Sequence, residues 1–228
     1  MAFNFQTFKT RALTALLFVV VMLTGLLWNF WSFLILFTVI HFGCWFEFVK
    51  LMKKIYAEKY LRYCFFGLIY ITLPFSKMYT LGYENKLILD TAIPLCIIFS
   101  IWVNDTLAYL VGSFIGRTPL TKISPKKTWE GTLGGIILSV IAMGFLYPLV
   151  MGNELRISYA PPKTWFIIPA ICAIFGTLGD LLESKLKRMA DVKDSGSFMP
   201  GHGGFLDRFD SLLVAVPAVW VFVYFFIR

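Results

Sequence analysis

The chain has 228 residues, 58% of them hydrophobic and 15% charged, and its mean hydropathy is +0.75. A soluble domain carries about 25% charged residues, so too little polar surface remains to coat a water-soluble globule. A soluble enzyme, a disordered chain and a secreted disulfide scaffold are excluded, and an integral membrane protein is expected. The net charge is +8, but the charges sit between apolar runs. Orientation in a bilayer or anionic ligands explain that pattern better than nucleic-acid binding.

A helix needs about 20 mostly apolar residues to cross a bilayer. Segments near 11–28, 30–49, 60–76, 87–104, 129–150, 164–182 and 208–227 meet that need. The expectation is an all-α, polytopic helical bundle of about seven transmembrane helices. It forms one membrane domain over 1–228, with N-terminal spans in 1–103 and a core in 104–228. The first segment runs almost directly into the second across Trp28 and Asn29, without a small-residue cleavage site, so it reads as a span and not a signal peptide.

With the N-terminus inside, the inner loops hold Lys9 and Arg11; Lys50, Lys53, Lys54, Lys59 and Arg62; Arg117, Lys122, Lys126 and Lys127; and Lys185, Lys187, Arg188, Lys193 and Arg208. Only Lys77, Lys86, Arg156, Lys163 and Arg228 fall outside. The positive-inside rule therefore predicts a cytoplasmic N-terminus and a multi-pass protein. Cys44, Cys64, Cys96 and Cys172 all lie in apolar stretches and read as packing residues. With His41 and His202 as the only histidines, no zinc cluster can be assembled. His41 lies mid-span near Trp45 and Glu47 and reads as a packed, hydrogen-bonded side chain.

Three regions break the apolar pattern: 104–135, 179–193 and 194–211. On the inside-out map all three sit at or near the cytoplasmic face. In the first, Ser124, Lys126, Lys127 and Thr128 are donors suited to phosphate, with Asp105 and Glu130 at the membrane border. Gly112 and Gly116, and again Gly131 and Gly135, have G-x-x-x-G spacing, which favours close helix packing. The run GSFIGRT has three residues between its glycines and Arg in place of Lys, so it is not a P-loop.

In the second region Asp180, Ser184, Lys187 and Arg188 share one helical face at i, i+4, i+7 and i+8. Asp180 is deepest, and a carboxylate in a membrane segment usually has a partner or a function. Pairing with a helical neighbour or capping a break at Gly179 is the plain alternative. In the third region Gly196, Gly201, Gly203, Gly204 and Pro200 prevent a long helix. Such glycines let backbone N–H groups approach an anion. Asp207 and Asp210 follow at the start of the last span. Together with Asp180 they suit a hard divalent cation such as Mg²⁺. Helix capping would explain one of these acids, but not all three. His202 lies in the glycine-rich turn, as a phosphate contact or as a residue tolerated by turn geometry.

The run SKLKRMADVKDSGSFMPGHGGFLDRFDS at 184–211 resembles the signature of the CDP-diacylglycerol synthases, or phosphatidate cytidylyltransferases. NDTLAYLVGSFIGRTPLTKISPKKTWEG and GTLGDLLES are similar to stretches of the same family. The resemblance covers 104–135 and 176–211, about half the chain, and is highly specific. It implies a membrane enzyme that joins CTP to phosphatidate, giving CDP-diacylglycerol and pyrophosphate in phospholipid synthesis. It implies Mg²⁺ held by Asp180 and Asp207, with a second cation left open. Asp210, Lys187 and Arg188 would act with them in catalysis. Ser124, Lys126, Lys127, Thr128, Ser184, Lys193, Asp194, His202, Gly203, Gly204, Arg208 and Asp105 would bind substrate. The implied partners are CTP, phosphatidate and the bilayer, with no nucleic acid and a homodimer left open.

The physical reading agrees with that chemistry. A lipid phosphate oxygen is itself the nucleophile, so the protein need only bring two polyanions together and offset their charge. Two other readings are a CTP-dependent lipid-alcohol kinase, which would release CDP, and a cation-coupled transporter using Asp105, Glu130 and Asp180. A transporter places its acids near the bilayer midplane, whereas here they gather at one face beside a glycine-rich loop.

Overall fold

The computed structural model describes residues 5–85, 88–89, 91–151, 161–198 and 203–227. Helix α1 (Phe5–Leu27) is followed by α2 (Phe30–Tyr56), and Asn29 forms the corner between them. Its Oδ1 accepts from the Ser32 amide at 2.9 Å while the Ser32 hydroxyl accepts from the Asn29 amide at 3.0 Å. This reciprocal cap satisfies two donors at the helix start and turns the chain within two residues. Gly25 lies against Leu36, where a Cβ would have no room (2.6 Å).

Helix α2 buries Phe33, Phe37, Ile40, Cys44, Phe48 and Leu51, which recur at helical spacing. Glu47 lies on the same face and is only 4% exposed. After a 3₁₀ turn (Ala57–Lys59), the third apolar stretch is not one regular α-helix. It comprises α3 (Tyr60–Cys64), a π-helical turn (Leu68–Thr72) and α4 (Leu73–Leu81). Pro74, near the start of α4, has no N–H to give to an uninterrupted ladder. His41 packs here as the sequence predicts. Its Nε2 is 3.1 Å from Thr72 Oγ1 and accepts from Trp45 Nε1 at 3.1 Å.

A short antiparallel strand pair, β1 (Tyr83–Asn85) with β2 (Ile88–Leu89), follows α4. Then come α5 (Ala92–Ile115), α6 (Trp129–Met151), α7 (Thr164–Met189) and α8 (Leu206–Phe226). Among the described residues five helical stretches are long and apolar enough to cross a bilayer: Phe30–Cys64, Ala92–Ile115, Trp129–Val150, Thr164–Met189 and Leu206–Phe226. Ala12–Leu27 is a shorter apolar helix. The chain is thus a multi-pass helical membrane protein.

Glycines set how closely the last four helices approach. Against α5, a Cβ on Gly135 would lie 2.6 Å from Ala108 Cβ, and one on Gly131 would lie 2.9 Å from Gly112 Cα. The G-x-x-x-G pairs are therefore packing contacts, as their spacing predicts. Between α7 and α8, a Cβ on Gly179 would meet the Asp210 carbonyl group and Ser211 Cα. The four cysteines are free thiols, and Cys44, Cys96 and Cys172 are buried in the packing.

Candidate active site

The close contact at Gly179 decides what faces what. It brings the start of α8 against the middle of α7. Carboxylate oxygens of Asp180, Glu183 and Asp210 consequently lie within 4.8 Å of one another. Glu183 is fully buried and Asp210 is 8% exposed. Lys127, from the loop between α5 and α6, pairs with Asp180. Lys187 pairs with Glu183 one helical turn away, and its Nζ donates to Asp207 Oδ1 at 2.7 Å. Four carboxylates (Asp180, Glu183, Asp207 and Asp210) thus face two ammonium groups, leaving an excess of negative charge in a poorly hydrated place. Asp180 Oδ2 and Glu183 Oε2 are the oxygens that meet these lysines, and the buried Glu183 Oε1 has no hydrogen-bond partner. Buried charge without full compensation is costly, so this donor set fits a hard divalent cation.

Asp207 also organises the loop before α8. Its Oδ2 accepts from the Ser195 amide at 2.9 Å and the Gly204 amide at 2.7 Å. Gly203 has φ +86°, and a side chain there would press on Asp207 Oδ2. This position needs glycine for its backbone and for its space. The Ser195 hydroxyl lies 2.8 Å from both Asp207 Oδ2 and Glu47 Oε2.

The loop between α5 and α6 is held from within. Glu130 accepts from the Arg117 and Thr118 amides, both at 3.2 Å, and from the Thr118 hydroxyl at 2.8 Å. The Leu120 amide donates to the Lys127 carbonyl at 2.7 Å, and Thr128 Oγ1 accepts from the Gly131 amide at the start of α6 (3.1 Å). These bonds aim Lys127 inward. Burial pushes its ammonium below the ordinary lysine pKa, and the nearby Asp105 opposes that shift.

A polar cavity of about 460 Å³ lies over the acids. Ser124, Lys126, Lys127, Thr128, Asp105, Asp180, Asp207 and Asp210 all line it, so eight predicted site residues converge from four stretches of sequence. Ser184 is half-buried on α7, while Arg188, Lys193, Asp194 and Arg208 are exposed around the site and do not line the cavity. His202 lies outside the described residues. Gly204 reaches the site through its amide. On the other side of the α7–α8 pair is a second cavity of about 880 Å³, walled by Phe48, Tyr70, Phe175, Leu182, Leu186 and Leu213 among other apolar residues. Two buried acids, Glu183 in the cluster and Glu47 beside the loop before α8, are absent from the set predicted from sequence. Glu47 is a carboxylate within an apolar segment, which is the signal that points to it, whereas Glu183 sits in a mixed charged run.

A multi-pass helical protein with acids and lysines converging beneath a polar cavity, and an apolar cavity behind, defines the class. The chain belongs to the cytidylyltransferase family, whose profile matches residues 59–226. It is 40% identical over 156 residues to the phosphatidate cytidylyltransferase of Thermotoga maritima, covering 68% of this chain and 56% of that protein. To the phosphatidate cytidylyltransferase of Bacillus subtilis it is 45% identical over 126 residues, 55% of this chain and 43% of that one. The protein of the same name from Rickettsia felis is 34% identical over 219 residues, 94% of this chain and 92% of the relative. The chain thus spans about half the length of the first two relatives and nearly all of the third.

Proposed function

We propose that this protein is a phosphatidate cytidylyltransferase, joining CTP and phosphatidate to give CDP-diacylglycerol and pyrophosphate. The observation that carries the reading is the union, in a chain of this family, of a lysine-bearing polar cavity with a cluster of acids on the α7–α8 pair. The residues that would hold Mg²⁺ are Asp180, Glu183 and Asp210, whose carboxylate oxygens gather within 4.8 Å of one another, with Asp207, the other ligand expected from the sequence, beside them on Lys187. Bound there, the ion would offset charge on the α-phosphate of CTP.

The chain's own residues have distinct tasks. Lys126, Lys127, Ser124 and Thr128 bind the nucleotide phosphates, Lys127 as a point charge and the hydroxyls as directed donors. Lys187 bridges Asp207 and Glu183 as a shared counter-ion and offsets their mutual repulsion. The attacking oxygen belongs to the lipid phosphate, so no side chain serves as nucleophile. Acyl chains would lie in the apolar cavity beyond α7 and α8, which places the lipid headgroup beside the acids. Seven membrane crossings with a cytoplasmic N-terminus, and a site at the cytoplasmic face where CTP arrives, complete the proposal. The Lys and Arg distribution supports it.

The test is detergent-solubilised protein with CTP, phosphatidate and Mg²⁺, scored for liponucleotide and pyrophosphate, with ATP and a polyprenol as controls. Asp180→Asn and Asp207→Asn should each lower turnover at least about 100-fold, as loss of a charged group acting in the transition state does. Near-normal turnover in either rejects its assignment. Release of CDP in place of pyrophosphate rejects the reaction.

A further inference from the structure

Glu47 stands apart from the cavity, the acid cluster and the residues matched by the family profile, which begin at 59. It nevertheless accepts three hydrogen bonds from the loop before α8 and from the first turn of α8. Its Oε1 accepts from the Phe205 amide at 3.0 Å, and its Oε2 accepts from the Leu206 amide at 2.9 Å. These are the first N–H groups of α8, which has no side-chain cap of its own at Phe205. A helix start leaves such donors without intrahelical acceptors and favours a negative charge. Glu47 supplies both the acceptors and the charge from a helix more than 150 residues upstream.

The third donor is Ser195. Its single hydroxyl proton is shared between Glu47 Oε2 and Asp207 Oδ2, each 2.8 Å away. The space around Glu47 is made by glycine. Side chains on Gly196 or Gly204 would overlap its carboxylate, and one on Gly43, a turn earlier in α2, would lie 2.5 Å from the Phe205 ring. Loop and helix are fitted to one another on both sides of the contact.

We propose that Glu47 is a positioning residue: through Ser195 and the first amides of α8 it fixes where Asp207 and Asp210 stand relative to Asp180. The proposal rests on the cytidylyltransferase reading for its kinetic consequence, but not for its structural one. A carboxylate here is specific. Glutamine keeps the size but puts an NH₂ group against one of the backbone donors, so one contact becomes repulsive. Groups that orient a functional carboxylate typically cost about 10–100-fold when removed.

The experiment compares wild type with Glu47→Gln, Ser195→Ala, the double variant, and Thr38→Val. The last removes the 3.1 Å contact of Thr38 Oγ1 with Tyr79 OH, also on α2 but remote from the loop. The expected result is a kcat lowered about 10–100-fold in Glu47→Gln. The KM for CTP should stay within about 3-fold, because the phosphate-binding lysines are untouched. The double variant should lose much less than the product of the two single losses, as residues acting through one another do. Thr38→Val should keep its kcat. Wild-type kcat in Glu47→Gln overturns the proposal, as does a multiplicative loss in the double variant or an equal loss in Thr38→Val. If Glu47→Gln does not fold, Ser195→Ala decides by the same kcat criterion. Amide hydrogen exchange separates this from failure of the enzymatic reading. Even in a protein inactive on CTP, the amides of Ser195, Phe205 and Leu206 should exchange faster in Glu47→Gln than in wild type, and unchanged exchange overturns the positioning role.

Discussion

Gly179→Ala adds one methyl group at the point where α7 and α8 touch. A Cβ there would sit 3.1 Å from the Asp210 carbonyl carbon and from Ser211 Cα, and closer still to the carbonyl oxygen. Ordinary carbon–carbon contacts are about 3.5–4.0 Å. The obstacle is backbone, so rotamer changes give no relief and the helices must separate, by on the order of 1 Å. Overpacking of this kind costs about 1–3 kcal/mol. The catalytic effect is larger, because the same movement carries Asp210 away from Asp180, and a misplacement of about 1 Å lowers rates on the order of 100-fold. Gly176→Ala is the control, one turn away on the same face. Its Cβ would meet Ser211 Cβ at 3.4 Å, an ordinary contact. The assay is CTP-dependent pyrophosphate release by the purified variants, with thermal unfolding in parallel. Gly179→Ala should lose about 100-fold in kcat and Gly176→Ala less than about 3-fold. Equal activity in the two would refute the claim that α7–α8 apposition sets the site.

Three further outcomes are expected. Lys187→Ala leaves Glu183 and Asp207 without their shared cation and should destabilise the fold by about 3–5 kcal/mol, read as a lowered midpoint in thermal or denaturant unfolding; an unchanged midpoint would show that the pairing does not matter. Glu130→Ala removes the acceptor for Arg117 and Thr118 and should raise the KM for CTP several-fold with kcat little changed, since it loosens the lysine-bearing loop and leaves the acids in place; an unchanged KM would detach that loop from nucleotide binding. Reporter fusions after residues 122 and 190 should report the same side of the membrane, and opposite sides would refute the proposed topology.

Much of this site was legible in the sequence because polar residues inside an apolar chain are costly and therefore conspicuous. Asp180, Asp207, Asp210 and Lys127 stood out for that reason, and all four line one cavity. The apolar runs likewise located the long helices. The stretch near 60–76 read as a span, but composition carries no record of the π-turn at Leu68–Thr72 within it. Glu183 and Glu47 were harder. Glu183 looked like one charge among many in a mixed run, and only the helical register turns it towards Asp180 and Lys187. Glu47 lay far from every motif. Its partners are backbone amides, which have no sequence signature, and only the folded chain brings α2 against the start of α8.

Helix α7 is a partition with incompatible faces: Asp180 looks into the polar cavity, while Leu182 and Leu186 wall the apolar one. One residue added or lost between Gly179 and Lys187 would turn everything downstream by about 100°. Acid would then be presented to oil and leucine to water, so in this stretch the reading frame of the helix, and not only its composition, is under constraint. Tolerance for changes of length must lie elsewhere in the chain.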